Sequence, residues 1–213
     1  MANVRLWSGV EVSLTSATST PITISNISKA SPPVVTFTGT APANGDVVWI
    51  QAAGMTQVNE RAFRVGGVAG STFQLVGEDS TQYDTFVSGT ATRHTMGTNM
   101  NSARGVSAAG GEASEVDIST IHDLVRRTMP GPASASTFDF DCFWDPGDPA
   151  SIALKRASDS RTRLVASIGF ADGSGVLFAG YVSASGLPTG QAQDAVTTSV
   201  RLTMAGSATT YAS

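Results

Sequence analysis

Residues 137–160 read TFDFDCFWDPGDPASIALKRASDS. Phe138, Phe140, Cys142 and Trp144 alternate with Thr137, Asp139, Asp141 and Phe143. A period of two marks a strand with one face buried. Asp145-Pro146-Gly147-Asp148-Pro149 ends it, because neither proline can donate to a ladder. Asp148 then suits a helix N-cap and Pro149 a first helical position. Residues 150–159 therefore predict one short helix, buried through Ile152 and Ala153 or through Leu154 and Ala157.

Outward from this segment the chain reads as strands. Downstream come Arg163–Phe170, a turn at Ala171–Gly175, Val176–Ser185 and Val196–Met204, the last with Val196, Thr198, Val200, Leu202 and Met204 on one face. Upstream, Glu115-Val116-Asp117-Ile118-Ser119 alternates as a strand. A loop is expected over Ile121–Ala135, with Met129-Pro130-Gly131-Pro132 forbidding helix or ladder in its second half. Residues 96–114, without periodicity, read as a linker. A first strand over 4–15 carries Val4, Leu6, Val10, Val12 and Leu14, broken at Ser8-Gly9, and 16–21 is a polar hinge. Between them lie the evenly spaced apolar runs Ile22–Ile27, Val34–Phe37, Val47–Ile50, Ala62–Val65, Thr72–Val76 and Thr85–Val87. Asn44-Gly45-Asp46 and Gly66-Gly67 supply hairpin turns. The expected fold is all-β with one short helix. A β-sandwich or barrel domain, residues 1–18 plus 96–213, would carry an inserted small β-barrel, 19–95.

Composition narrows the function. The chain has 213 residues, a net charge of -4, a pI near 5.0, one cysteine and two histidines. Acidity argues against a nucleic-acid binder that works by counterion release. A lone Cys142 excludes an internal disulfide and a multi-thiolate zinc site. The start MANVRLWSGVEVSL has no signal-peptide pattern, and no apolar run approaches the ~18 residues of a membrane span. A soluble, cytoplasmically made protein is expected, leaving the Asn26-Ile27-Ser28 sequon idle.

Candidate chemistry is sparse. Asp139, Asp141, Asp145 and Asp148 could gather oxygens for calcium, but their positions suit a strand face, a turn and a cap. Cys142 shares the apolar face of its strand, and His122 lies in a loop beside Asp123. No G-x-S-x-G elbow is present, and the glycine patches at 66–70 and 105–111 lack the strand–helix context of a phosphate loop. No enzyme, cofactor or metal site is expected.

Four pieces in order resemble the major tail tube proteins of lambda-type long-tailed bacteriophages. They are EVDISTIHDLVRRTMPG (115–131), FWDPGDP (143–149), VASIGFADGSGVLFAGYVSASG (165–186) and QDAVTTSVRLTMAG (193–206). Matching positions include Phe170, Asp172-Gly173, Phe178, Gly180, Val182-Ser183, Asp194, Val196, Val200, Leu202 and Gly206. Separately, 45–91 resembles the first catalytic-cysteine half-domain of ubiquitin-activating enzymes. With no catalytic cysteine or adenylation domain, that likeness implies a fold only. Simple tail tube proteins lack such an insert so near the N-terminus.

The tail tube resemblance implies a structural virion protein made in the host cytoplasm. Its copies would form hexameric rings stacked into a tube that conducts DNA during ejection. Implied partners are further copies, the tape measure protein, and tail terminator and tail tip proteins, with DNA as non-specific cargo and no membrane. It further implies that the 119–135 loop stacks rings through Leu124, Val125, Arg126, Arg127 and Met129, helped by the N-terminus and 96–114. By alternation, strands 115–119 and 136–144 would lie side by side and face the lumen through Glu115, Asp117, Ser119, Thr137, Asp139 and Asp141. Arg163 and Ser167 would share that face. The insert would lie outside the tube. The competing reading is a virion decoration or a receptor- or glycan-binding β module.

Overall fold

A computed structural model describes residues 9–212. The expected strand positions Val4 and Leu6 therefore lie outside the described residues. The chain is all-β with one α-helix among those residues. Strand β1 (Glu11–Thr18) leads through Ser19–Pro21 into a closed barrel. Barrel strands are β2 (Ile22–Ile27), β3 (Val34–Thr38), β4 (Val47–Ala53), β5 (Arg61–Ala69), β6 (Thr72–Leu75) and the first part of β7 (Ser88–Asn99). Their order is β2-β3-β6-β5-β4-β7, closed by pairing of β2 with β7. Alternation turns Val35, Phe37, Val48, Ile50, Phe63, Val65, Phe73 and Leu75 inward. Closure leaves the barrel no open edge. Met55, just before a 3-10 turn at Thr56–Val58, and Val58 within it are buried in the same core.

Beyond the barrel β7 continues, leaving β4 at His94 and pairing with β1 to Asn99. The remaining elements are β8 (Ala103–Ala109), β9 (Ala113–Asp117), β10 (Thr128–Ala133), β11 (Thr137–Phe143), helix α1 (Pro149–Ser160), β12 (Arg163–Gly169), β13 (Gly175–Ala184), β14 (Thr197–Met204) and β15 (Thr209–Tyr211). Of these, β8 and β11–β15 extend the same sheet in the order β7-β1-β12-β13-β14-β11-β8, with β15 on β13, while β9 and β10 form a sheet of their own. The sheet curls. Leu14 of β1 and Phe140 of β11 share one core, and only residues 100–102 join β7 to β8. Helix α1 covers that core through Ala150, Leu154 and Ala157, while Ile152 points outward. The Asp148 carboxylate accepts from the Ala150 amide, as an N-cap should. Phe138 stacks on Phe178 with centroids 4.2 Å apart.

The sequence expectations need four local corrections. First, 96–114 is not a linker; it holds the end of β7, all of β8 and the start of β9. Its residues hid this, because β8 is a largely exposed edge strand of Ala, Gly and Ser and β7 turns His94 and Thr98 inward. Backbone pairing rather than an apolar face defines both strands. Second, β1 runs to Thr18, which shortens the hinge. Third, Thr85–Val87 precedes β7 without being strand. Fourth, Pro130 and Pro132 do sit in a ladder, β10 against β9, with a bulge between Pro130 and Ala133. In a two-stranded ladder each strand has an outer edge, so an outward-turned proline nitrogen forfeits no bond.

Candidate assembly surfaces

β8 and β11 pair from Cys142↔Ala103 to Thr137↔Ala109, and the same two chain segments pair again as β9 and β10. The result is one long antiparallel hairpin with a break at Gly110-Gly111. Both glycines have φ above +80°, and a Cβ on Gly110 would stand 2.3 Å from the Ala135 carbonyl oxygen. Only glycine allows this approach. Past the break, β9 and β10 form a separate two-stranded arm, exposed along nearly its whole length.

The arm's tip organises its own polar groups. The Ile118 amide donates to the Arg127 carbonyl at 2.9 Å, and the Arg127 amide to Ser119 Oγ at 2.8 Å. Asp123 accepts from the Thr120 amide and hydroxyl. Arg126 pairs with Asp117 at 3.2 Å and Arg127 with Asp123 at 3.9 Å. Hydrogen bonds from Ser119, with Arg126 adding to them, hold the Asp117 carboxyl below its usual range. Apolar side chains are left outside: Leu124 is fully exposed, Ile121 is 96% exposed, and Val116, Ile118, Val125 and Met129 are also exposed. Such a patch on a structured tip marks an interaction surface.

β9 pairs only with β10, whereas β11 lies between β8 and β14. Strands 115–119 and 136–144 are therefore not side by side. Glu115, Asp117 and Ser119 belong to the arm. Thr137, Asp139 and Asp141 occupy the face of β11 opposite buried Phe140 and Cys142. Burial raises the Cys142 thiol pKa. Arg201, on neighbouring β14, grips Asp139 with two hydrogen bonds of 2.6 and 3.1 Å and lowers that carboxyl's pKa. Alternation on β11 alone could not reveal this partner; it needs the β11–β14 register.

Arg163 does not neutralise that open patch. It shares the sheet face but sits under the barrel, 3.2 Å from Glu60 and over the rings of Trp49 and Tyr181. Val165, Leu177 and Ala179 of the sheet pack there on Val47 and Ala62 of the barrel. Ser167 lies at the same end, opposite Leu177 on β13 and Ser13 on β1. On this face the barrel covers the β12–β13 end, and β14-β11-β8 carry the open end. A second link is the buried Arg61–Glu78 pair at 2.7 Å, which also reaches Thr209 of β15. Tyr83 donates to Glu78 from the other side. His94, 6% exposed, meets Thr15 Oγ1 at 3.1 Å where β1, β4 and β7 adjoin; burial lowers its pKa to about 4. Among the described residues no group of three or more His, Cys, Asp or Glu is placed to hold a metal ion.

A comparison with curated proteins finds no match. The family model described as phage tail tube protein (TTP) matches residues 53–213, about three quarters of the chain. The match runs from the end of β4 through the rest of the barrel, the arm, the helix and the C-terminal strands. By that match the chain belongs to the phage tail tube protein family, structural components of the viral tail.

Proposed function

We propose that this chain is the wall subunit of the tail tube. Copies join side by side into hexameric rings, rings stack, and the lumen conducts DNA during ejection. The tape measure protein fills the lumen beforehand, and tail terminator and tail tip proteins close the two ends. The observation that carries this reading is the exposed arm. A two-stranded ladder with unpaired edges and an uncovered aliphatic tip needs further copies to cover it. Stacking through Leu124, Val125, Arg126, Arg127 and Met129 gives the tip that cover, and a head-to-tail contact of this kind propagates along an axis.

The lumen is assigned to the open end of the sheet, through Thr137, Asp139 and Asp141, with Glu115, Asp117 and Ser119 on the arm continuing the acidic surface. Arg201 offsets part of the charge. A weakly acidic wall repels phosphate within roughly 8 Å at physiological salt, so DNA passes without adhering. The barrel, residues 19–95 in this reading an inserted unit, points away from the lumen.

Negative-stain microscopy of the purified chain tests the proposal. Hollow tubes or stacked rings are expected, and replacing 112–134 with a short turn should leave folded subunits that never stack. Discrete monomers at every concentration would overturn it.

A further inference from the structure

Except for Val87 and Tyr181, the large exposed hydrophobic residues among those described fall into two groups. One is the arm. The other lies at the far end of the same strand. β11 begins beside the arm at Thr137 and ends at Phe143, immediately before Trp144. There a groove of about 690 Å³ opens between the outer side of α1 and the segments around 145 and 185. Trp144 and Ile152 supply its apolar floor, and Leu187 and Val196 stand exposed nearby. The Trp144 indole donates to the Gly186 carbonyl at 3.0 Å, which fixes the wall. The rim carries both signs, Asp145 and Asp159 with Lys155 and Arg156.

We infer that this groove is the socket for the arm tip of another copy of the chain. The inference rests on the proposed stacking and adds the receiving surface. Three observations converge. The groove and the tip are both apolar at the centre. Their rims can pair by exchange: Lys155 and Asp159 of the groove hold each other at 2.5 Å, as Arg127 and Asp123 of the tip do at 3.9 Å, and on contact Arg126 and Arg127 can meet Asp145 and Asp159 while Asp123 meets Lys155 or Arg156. These pairs are open to solvent and therefore weak, so exchanging partners costs little. The arm's base and the groove also lie at opposite ends of β11, so the two surfaces are separated along the chain's own strand direction and can engage different neighbouring copies. That is the geometry of a heterologous, self-propagating contact.

Paired cysteines at Leu124→Cys and Ile152→Cys test the contact in the full chain. Native Cys142 is buried and stays silent. After copper–phenanthroline oxidation of assembled tubes, the double variant should give a ladder of disulfide-linked multimers on a non-reducing gel. Neither single variant should. A control pair, Leu124→Cys with Val87→Cys, should not. Normal tubes without a ladder, or an equal ladder from the control pair, would overturn the socket while leaving the tube reading intact. Absence of tubes from the unmodified chain would overturn both. Independently, Ile152→Glu should keep its thermal midpoint yet lower tube yield by roughly tenfold, as expected for a central apolar contact. An unchanged yield would also overturn the socket.

Discussion

Excising the barrel is the sharpest test of how the chain is built. β1 and β7 are antiparallel neighbours, with Thr15 opposite Met96 and Ala17 opposite Thr95. Removing 19–93 and joining Thr18 through Asn-Gly to His94, the residue opposite it, would leave an ordinary two-residue hairpin. The cost comes from the junction. Val165 and Leu177, 0% and 1% exposed, would face water, and burial of each contributes about 1.5–3 kcal/mol. Loss of the Arg163–Glu60 pair adds little, because Arg163 becomes hydrated and its Nε, buried without a partner beneath the barrel, gains water. The remaining domain should therefore lose about 3–6 kcal/mol, a large part of the roughly 5–15 typical of a domain. Val165→Thr with Leu177→Thr, which keep strand propensity and suit a wet surface, should restore solubility. Urea unfolding followed by far-ultraviolet circular dichroism is the assay. A cooperative transition in the rescued protein is expected. If it has no cooperative transition, the sheet cannot stand without the barrel and the insertion reading fails.

Arg61→Ala should destabilise the full chain by about 3–5 kcal/mol in the same assay, because it strands Glu78 as a buried charge. Replacing both partners with apolar residues should cost much less. His94, with its pKa lowered to about 4 by burial against an ordinary value near 6.5, binds its proton more readily when unfolded. Its contribution is thus complete above about pH 6.5 and falls as pH drops towards 4, by about 3 kcal/mol in all. His94→Gln should flatten the stability profile across that window. Arg126→Glu with Arg127→Glu should leave the thermal midpoint unchanged and block tube growth in microscopy; normal tubes would refute an electrostatic role for the tip. Asp139→Lys with Asp141→Lys should permit assembly but slow DNA release in an ejection assay, and unchanged kinetics would remove these residues from the lumen.

Legibility in the sequence tracked side-chain contrast. β11 and its helix were legible because Phe140 and Cys142 alternate with aspartates and Asp148-Pro149 opens α1. The barrel strands were legible for the same reason, as Val48 and Ile50 or Phe63 and Val65 show. β8 and β10 were not, since alanines, serines and prolines in edge strands leave no pattern to read. At the candidate surfaces, the apolar tip was visible as Leu124 and Val125 in a segment unable to bury them. The partners of Asp139 and Arg163 were not, because Arg201 is 62 residues from one and Glu60 is 103 from the other. Long-range register, not local composition, decides which charge meets which.

The shared strands also settle how the barrel would bear a load. β1 is bonded to β12 from Glu11 to Leu14 and then runs on to the barrel's entrance, while β7 returns beside it. A pull on the barrel along these strands acts lengthwise on β1 against β12. Ladder bonds lie across the strand direction, so all of them are strained together rather than peeled one after another. The attachment is mechanically a shear joint, and a force on the barrel would be spread through the sheet before any single bond yielded.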